Sequence, residues 1–262
     1  MNWRHLCACA IGTSHVSSGT PCQDSCLVIS ATDRQGASFL IALAADGAGS
    51  ATFSEEGAEL TCEVAGRFFC DHIEKTENPA LSTDLAFQCL EQVRDAIFTA
   101  ANAHQSVPRE YACTLVGCVV GATEALAFQI GDGALVFRSD VGLYPIFWPD
   151  AGEYANMTYF VTDENAEKRL QVAVVQAPNE IAVLTDGLQR LALVFATREV
   201  HAPFFESMFK VLRGANTDEC DDLTHHLVQF LDSSEVNQRT DDDKTLILAT
   251  RLTGTENEQV AL

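Results

Sequence analysis

The chain has few basic residues and no long apolar runs, and each shortage excludes a class of protein. It carries 16 Lys and Arg residues against 37 Asp and Glu, for a formal net charge of -21. Such a surface repels phosphate backbones and anionic lipids, so we expect no nucleic-acid and no membrane partner. No segment reaches the roughly 18 consecutive apolar residues of a membrane-spanning helix, and the N-terminus is not typical of a signal peptide. We therefore expect a cytoplasmic protein.

Other missing features bear on metal sites and domain organisation. The ten cysteines include no repeated C-x-x-C pair, so we expect buried reduced thiols and no cysteine zinc site. His225 and His226 are neighbours on an amphipathic helix and point about 100° apart, which favours surface or packing roles. No internal repeat, low-complexity tract or linker divides the 262 residues. We expect a single domain spanning residues 1–262.

The order of helical and strand patterns predicts an α+β fold. The run "SFLIALAAD" (38–46) is apolar on both faces, as in a central strand. Helix–strand alternation typical of parallel α/β folds is missing, so we expect a layered α+β arrangement. The other predicted elements are early strands on either side of a loop at 13–24, helices at 54–73 and 82–105, a series of strands from Tyr111, helices at 204–214 and 220–236, and a last strand at 244–252.

Aspartates stand at one end of several apolar strands. Asp46 ends "SFLIALAAD", Asp132 lies in a Gly-Asp-Gly turn, and Asp186 ends "IAVLTD". Asp24 precedes an early strand, and 241–243 precede the last one. Asp-Gly is also a common turn dipeptide, so each aspartate alone has a structural explanation. If the strand ends converge, however, the carboxylates repel one another unless cations neutralise them, and oxygen-only ligands suit Mg²⁺ or Mn²⁺.

Short motifs over nearly the whole chain occur in a characteristic order. They are "QD" at 23–24, "ADGAGS" at 45–50, "CTLVG" at 113–117, "IGDG" at 130–133, "LTDGL" at 184–188 and "DDKTLIL" at 242–248. In this order they resemble the metal-dependent Ser/Thr protein phosphatases of the type 2C (PPM) family, most of all its compact bacterial members. The resemblance implies a four-layer αββα sandwich of two antiparallel sheets flanked by helices. It also implies a flap-like insertion at about 141–178 beside the active-site cleft.

The resemblance further implies a set of metal ligands. Asp46 matches the aspartate that bridges two metal ions, and the carbonyl of Gly47 would bind one of them. Asp186 and Asp242 match the other direct ligands. Asp132, together with Asp186, would support a third and weaker ion.

Two further assignments depend on how the motifs are aligned. Asp24 would act through metal-bound water. Counting back from Thr245 selects Asp242 among the three consecutive aspartates. Asp243 then occupies a position that is often Asn in the family, and Asp241 falls outside the site.

The implied reaction is hydrolysis of phosphoserine and phosphothreonine in proteins by water that two or three Mg²⁺ or Mn²⁺ ions activate. The implied partners are phosphorylated proteins, with a cognate Ser/Thr kinase and its substrates as candidates. Two alternatives stay open. One is a phosphoprotein-binding regulatory relative with weak or no catalysis, and the other is a metal phosphohydrolase that acts on nucleotides or small metabolites.

The chain departs from the family pattern at two positions. Ala48 stands where many members have a histidine thought to protonate the leaving oxygen, and loss of a general acid costs ~10²–10⁴ in rate. Gly19 stands where many have a phosphate-gripping arginine. His15, in the predicted loop "TSHVSSG", is a candidate proton donor or phosphate contact; the alternative is an ordinary solvated histidine.

Overall fold

The structure is a computed structural model that describes residues 3–149, 158–216 and 219–252. Its strands are β1 (Trp3–Ala10), β2 (Asp24–Thr32), β3 (Ser38–Asp46), β4 (Leu115–Val120), β5 (Glu124–Ile130), β6 (Ala134–Ser139), β7 (Gly142–Pro145), β8 (Gln171–Gln176), β9 (Glu180–Leu184), β10 (Leu193–Val194), β11 (Glu199–Val200) and β12 (Lys244–Arg251). Its helices are α1 (Thr13–Ser18), α2 (Ser54–Lys75), α3 (Thr83–Ala103), α4 (Ala166–Arg169), α5 (Gln189–Ala192), α6 (Ala202–Gly214), α7 (Cys220–Leu231) and α8 (Ser234–Asn237), with 3-10 turns at Pro108–Tyr111 and Asp186–Leu188.

The strands form two five-stranded sheets and a small hairpin of β10 and β11. The first sheet has the order β1-β12-β9-β6-β7, and the second has the order β2-β3-β4-β5-β8. Every neighbouring pair in both sheets is antiparallel. The predicted α+β class with antiparallel sheets is therefore confirmed.

The two sheets stack face to face, with helices on both outer sides. Strand β3 shows why, because its side chains alternate between two apolar clusters. Leu40, Ala42 and Ala44 pack against the first sheet. Ile41 and Leu43 point the other way, into the cluster that α2 and α3 cover. A third cluster lies between the first sheet and helices α6 and α7. The layers run helix, sheet, sheet, helix, which confirms the predicted αββα sandwich.

The predicted helices are mostly confirmed, with one helix that ends earlier than predicted and one helix that was not predicted. The apolar stripe of α2 from Ala58 to Ile73 is buried, as its spacing predicted. The helix predicted over 220–236 stops at Leu231, and a new helix starts where the Ser233 hydroxyl accepts a hydrogen bond from Val236 N. The segment predicted as a loop at 13–24 contains α1, because residues far away in sequence organise it.

The cysteine prediction is wrong for one pair. Cys7 of β1 and Cys26 of β2 form a disulfide, with their Cα atoms 6.7 Å apart. The other eight cysteines, all within the described residues, are free thiols. Sequence spacing could not reveal the pair, because β1 and β2 are edge strands of different sheets that meet only when the sheets stack.

The predicted flap-like insertion is covered only in part, since its residues 150–157 lie outside the described residues. Its two ends contain β7 and β8, which are edge strands of the first and second sheets. Arg94 of α3 donates to the backbone carbonyls of Val161 and Asp163, which anchors the middle of this region. No helix in the part of the chain that the structure describes is long and apolar enough to cross a membrane.

Candidate active site

The strand register brings the predicted aspartates to one end of the sandwich. Asp24 and Asp46 are directly paired across β2 and β3. In the other sheet, Leu184 at the end of β9 pairs with Leu246 near the start of β12 and with Ala134 at the start of β6. The short segments that carry the remaining aspartates therefore leave the first sheet at the same edge.

Three carboxylates meet closely at this edge. Oxygens of Asp46, Asp132 and Asp186 all lie within 4.8 Å of one another, and each side chain is partly exposed. Asp24 is paired with Asp46 across the sheet, and a Cβ atom at Gly187, the residue after Asp186, would lie 3.5 Å from Cβ of Asp242. The carboxylates of Asp24 and Asp242 therefore border the same group. The structure thus brings together the five aspartates that the resemblance implies as site residues. We call this group of five residues the aspartate cluster.

The aspartate cluster is electrostatically unfavourable without a cation. Burial raises the pKa of Asp46 well above its ordinary value, and the other four carboxylates raise it further. Burial, followed by the charge of Asp132, raises the pKa of Asp186 to about 8. Burial also raises the pKa of Asp24 to about 7, against the opposing effect of two threonine hydroxyls. The pKa of Asp242, which is exposed, is raised mainly by partial desolvation.

Asp24 is held in place by two residues that the sequence reasoning did not assign to the site. The hydroxyls of Thr185 and Thr245 each donate to its Oδ2 at 2.7 Å. Its other oxygen, Oδ1, is buried and accepts no hydrogen bond from the described residues. A buried carboxylate oxygen of this kind requires a donor or a cation to offset its desolvation.

The backbone around Asp46 is fixed by Thr114 and by tight packing. Thr114 Oγ1 accepts from Asp46 N at 3.0 Å, and Thr114 N donates to Asp46 O at 2.8 Å. At Gly47 a Cβ atom would lie 2.6 Å from the carbonyl oxygen of Ser54 and 2.8 Å from that of Gln23. The small residue predicted to allow close approach is therefore required by the surrounding backbone.

The three consecutive aspartates have three different environments. Asp241 is exposed, and its carbonyl accepts from Ser14 N at 3.0 Å. Of the three, only Asp242 belongs to the aspartate cluster. Asp243 is 2% exposed and turns away from solvent. It accepts hydrogen bonds from the N-terminal segment, including one from His15 Nδ1 at 2.9 Å.

Other contacts tie the cluster to its surroundings. Thr158 Oγ1 donates to Asp132 Oδ1 at 2.9 Å, and Gln189 Nε2 donates to the carbonyl of Asp132. Sequence reasoning missed these residues as well as Thr114, Thr185, Thr245 and the buried role of Asp243. The threonines lie inside the quoted motifs "CTLVG", "LTDGL" and "DDKT", so the signal for them was in the sequence.

The donor set fits hard divalent cations. The aspartate cluster offers only oxygen atoms as ligands. The raised pKa values of its carboxylates and the unpaired Oδ1 of Asp24 indicate that no positive charge neutralises the cluster within the chain itself. Oxygen-only sites suit Mg²⁺ and Mn²⁺ more than Zn²⁺, which favours nitrogen and sulfur ligands.

Comparison with known proteins identifies the family. The family model described as "Protein phosphatase 2C" matches residues 11–232. The chain belongs to the protein phosphatase 2C family. It is 40% identical over 253 residues to serine/threonine-protein phosphatase 3 of Escherichia coli K12, and the match covers 95% of this chain and 98% of that protein.

Solved structures support the fold of this protein phosphatase 2C member. The serine/threonine phosphatase PstP/Ppp of Mycobacterium tuberculosis matches with a TM-score of 0.63 at 14% identity, covering 97% of this chain and all of the other. The S. agalactiae serine/threonine phosphatase matches with a TM-score of 0.62 at 12% identity, covering 96% of this chain and 100% of the other. The PstP catalytic domain in complex with two manganese ions matches with a TM-score of 0.59 at 13% identity, covering 95% of this chain and 97% of the other. At these identities the likeness concerns the fold alone.

Proposed function

We propose that the chain is a phosphoprotein phosphatase that removes phosphate from serine and threonine with Mg²⁺ or Mn²⁺. The observation that carries the proposal is the convergence of Asp46, Asp132 and Asp186, whose oxygens lie within 4.8 Å at one end of the sandwich. Family membership and the name of the Escherichia coli relative support the reaction class. The two manganese ions of the PstP catalytic domain support the class of metal.

Each residue of the aspartate cluster has a proposed role. The site would hold two or three ions, of which the third would be the weakest. Asp46, Asp186, Asp242 and the carbonyl of Gly47 would be direct ligands, with Asp46 shared between two ions. Asp132 would support the third ion together with Asp186, and Asp24 would act through water.

When bound, the metal ions supply Lewis acidity that neutralises phosphate charge and promotes loss of a proton from water. The chain itself fixes the geometry. Thr114 holds the backbone of Asp46, and Thr185 and Thr245 hold Asp24. These contacts preorganise the carboxylates before a substrate arrives, which lowers the cost of reorganisation during the reaction.

The cellular context is also proposed. The substrates are phosphorylated proteins, and a cognate Ser/Thr kinase acts on the same substrates. The net charge of -21 disfavours nucleic acids and anionic membranes as partners. We further propose a cytoplasmic bacterial protein with one phosphatase domain over residues 1–262, whose flap at about 141–178 contributes to substrate choice.

A second candidate is a phosphoprotein-binding relative with weak or no catalysis. Two observations favour it, namely Ala48 and Gly19 at positions where many family members have histidine and arginine. The retained aspartate cluster argues against it, because clustered carboxylates are costly without a bound cation.

Phosphate release from a phosphothreonine peptide in EDTA, Mg²⁺ and Mn²⁺ tests the proposal. We expect release with Mn²⁺ or Mg²⁺ and none in EDTA. A parallel panel of nucleotides and sugar phosphates tests substrate class. Peptide binding without release under either cation would favour the regulatory alternative, and preference for the small phosphates would favour a metabolite phosphohydrolase.

A further inference from the structure

Asp243 has a contact pattern unlike that of its two neighbours. Its Oδ1 accepts from Gly12 N at 2.6 Å, and its Oδ2 accepts from Gln23 N at 2.6 Å. The same Oδ2 accepts from His15 Nδ1 at 2.9 Å. Both oxygens are therefore held by backbone N–H groups, so the carboxylate is a rigid acceptor for the imidazole. This is the arrangement by which a buried carboxylate orients a histidine.

The helix that carries His15 is docked directly on the aspartate segment. A Cβ atom at Gly12 would lie 2.4 Å from the carbonyl carbon of Asp242, so the two backbones touch. Ser14 donates to the carbonyl of Asp241 through its N at 3.0 Å and its Oγ at 2.7 Å. These contacts fix α1 beside the aspartate cluster.

The hydrogen bond to Asp243 determines which nitrogen of His15 remains available to another molecule. A carboxylate that already accepts two N–H groups accepts a third, so Nδ1 carries a proton and Nε2 is left for other partners. The His15 side chain is 18% exposed, enough for contact with a bound molecule. Its hydrogen-bond partner Asp243 directly follows Asp242, so the imidazole lies beside the segment that carries this carboxylate.

We propose that Asp243 is a positioning residue that presents His15 Nε2 to the leaving oxygen of the substrate, and that His15 supplies the proton that Ala48 cannot. This inference rests on the proposed phosphatase function and names its proton donor. The donor comes from α1, whereas many family members place a histidine at the position of Ala48.

In the proposed step His15 donates one proton and the attacking water loses one. Imidazolium His15 passes its Nε2 proton to the seryl or threonyl oxygen as the bond from phosphorus to that oxygen breaks. A bond from phosphorus to the water oxygen forms in the same displacement, and this water releases one proton to solvent, so that the products are the alcohol and hydrogen phosphate. Neutral His15 keeps the proton on Nδ1, which still donates to Asp243 Oδ2, and Nε2 takes a new proton from solvent.

His15→Asn separates proton donation from structural support. The asparagine amide can replace Nδ1 as a donor to Asp243, but it has no counterpart of Nε2. We expect kcat on a phosphoserine peptide to fall by ~10² or more, since a general acid contributes ~10²–10⁴. With p-nitrophenyl phosphate, whose leaving group needs no proton, we expect a fall of less than roughly fivefold. His225→Asn, at an exposed position of α7, is the control and should leave both rates unchanged.

Asp243→Asn tests the positioning role, with a readout that does not depend on turnover. Nitrogen-15 NMR of the metal-free wild type should show His15 as one Nδ1–H tautomer when neutral, and the variant should show a mixture. The variant should also lose activity selectively on the phosphoserine peptide. Because it can leave Gly12 N or Gln23 N without an acceptor, its fold is checked by circular dichroism, and His15→Asn provides the second test.

The outcomes separate this inference from the proposed function. A wild type that releases no phosphate from either substrate with Mg²⁺ or Mn²⁺ overturns the proposed function and this inference with it. If the wild type is active and His15→Asn loses activity equally on both substrates, or on neither, this inference alone is overturned. An unchanged His15 tautomer in Asp243→Asn overturns the positioning role.

Discussion

Asp24 and Asp46 lie directly opposite each other in the antiparallel pair of β2 and β3. Like charges at opposed positions of a sheet are unfavourable, and burial adds to the cost by raising both pKa values. Hydrophobic side chains at either position would give a more stable sheet. The pairing is therefore best explained by a cation that binds at the cleft and offsets the repulsion.

The register of the three consecutive aspartates predicts which substitutions remove activity. Asp46→Asn and Asp242→Asn should each lower Mn²⁺-dependent hydrolysis of p-nitrophenyl phosphate by at least ~10², because each removes a charged ligand that stabilises the transition state. Asp241→Asn is the matched control. Its side chain is exposed, and the contact with Ser14 uses its backbone carbonyl, so activity should stay near that of the wild type.

Steady-state rates and circular dichroism spectra of the three variants provide the check. Full activity in Asp242→Asn together with loss in Asp241→Asn would show that the register is shifted by one residue.

Metal binding should stabilise the protein more at high pH than at low pH. In the metal-free fold the pKa is about 7 for Asp24 and about 8 for Asp186, against an ordinary value of 3.8. The folded state thus binds more protons than the unfolded state in this range, so its stability falls as pH rises from about 4 to about 8. Mn²⁺ binds the deprotonated carboxylates and removes this penalty.

Thermal melts with EDTA and with Mn²⁺ measure this linkage. The increase in Tm on adding Mn²⁺ should be larger at pH 8 than at pH 5. An increase of equal size at both pH values would mean that the cluster carboxylates are not the groups that bind the ion.

Gly47 should tolerate no side chain. In Gly47→Ala the new Cβ would lie 2.6 Å from the carbonyl oxygen of Ser54, so the backbone beside Asp46 must move. We expect a loss of ~1–3 kcal/mol in unfolding free energy, the usual cost of overpacking, and weaker Mn²⁺ binding. Gly49→Ala is the control, because its Cβ would meet nothing nearer than Gln23 Oε1 at 3.8 Å. Equal urea midpoints for the two variants would contradict the prediction.

Glu180 should contribute to stability and not to catalysis. It is 2% exposed and accepts hydrogen bonds from Arg138 Nε and from Arg213 Nη1. It pairs with Thr250 at the end of β12 far from the aspartate cluster. Glu180→Gln should lower the unfolding free energy by ~1–3 kcal/mol. This is less than the loss expected on breaking a fully buried ion pair, because Arg213 is 45% exposed.

Glu206 provides the comparison for Glu180. It also contacts Arg138, at 2.9 Å, but its side chain is 46% exposed. Glu206→Gln should therefore cost less than ~1 kcal/mol. Urea unfolding and phosphatase assays on both variants are the measurements, and a loss of kcat in Glu180→Gln at unchanged fold would contradict a purely structural role.

The α+β class and the placement of aspartates at strand ends could be predicted because both depend on local sequence patterns. Strand β3 is apolar on both faces, which indicates a strand buried between two layers, and each aspartate follows or precedes such a strand. The αββα arrangement itself came from the resemblance. Periodicity alone does not say which sheets stack or which strand ends converge.

The features that the sequence did not predict depend on contacts between distant segments. The helix α1 and the orientation of His15 depend on Asp243, which is 228 positions away. The disulfide between Cys7 and Cys26 depends on the stacking of two sheets. Thr185 and Thr245 reach Asp24 only after β9 and β12 pair. Pattern reasoning identifies residue types and elements, but it does not supply such long-range pairings.

The most direct test of the account is calorimetric titration of the metal-free protein with Mn²⁺. We predict saturable binding of at least two ions per chain for the wild type and for Asp241→Asn, with loss of high-affinity binding in Asp46→Asn. Wild-type protein that binds no Mn²⁺, or Asp46→Asn protein that binds it as the wild type does, would contradict the central claim that the aspartate cluster is a metal centre.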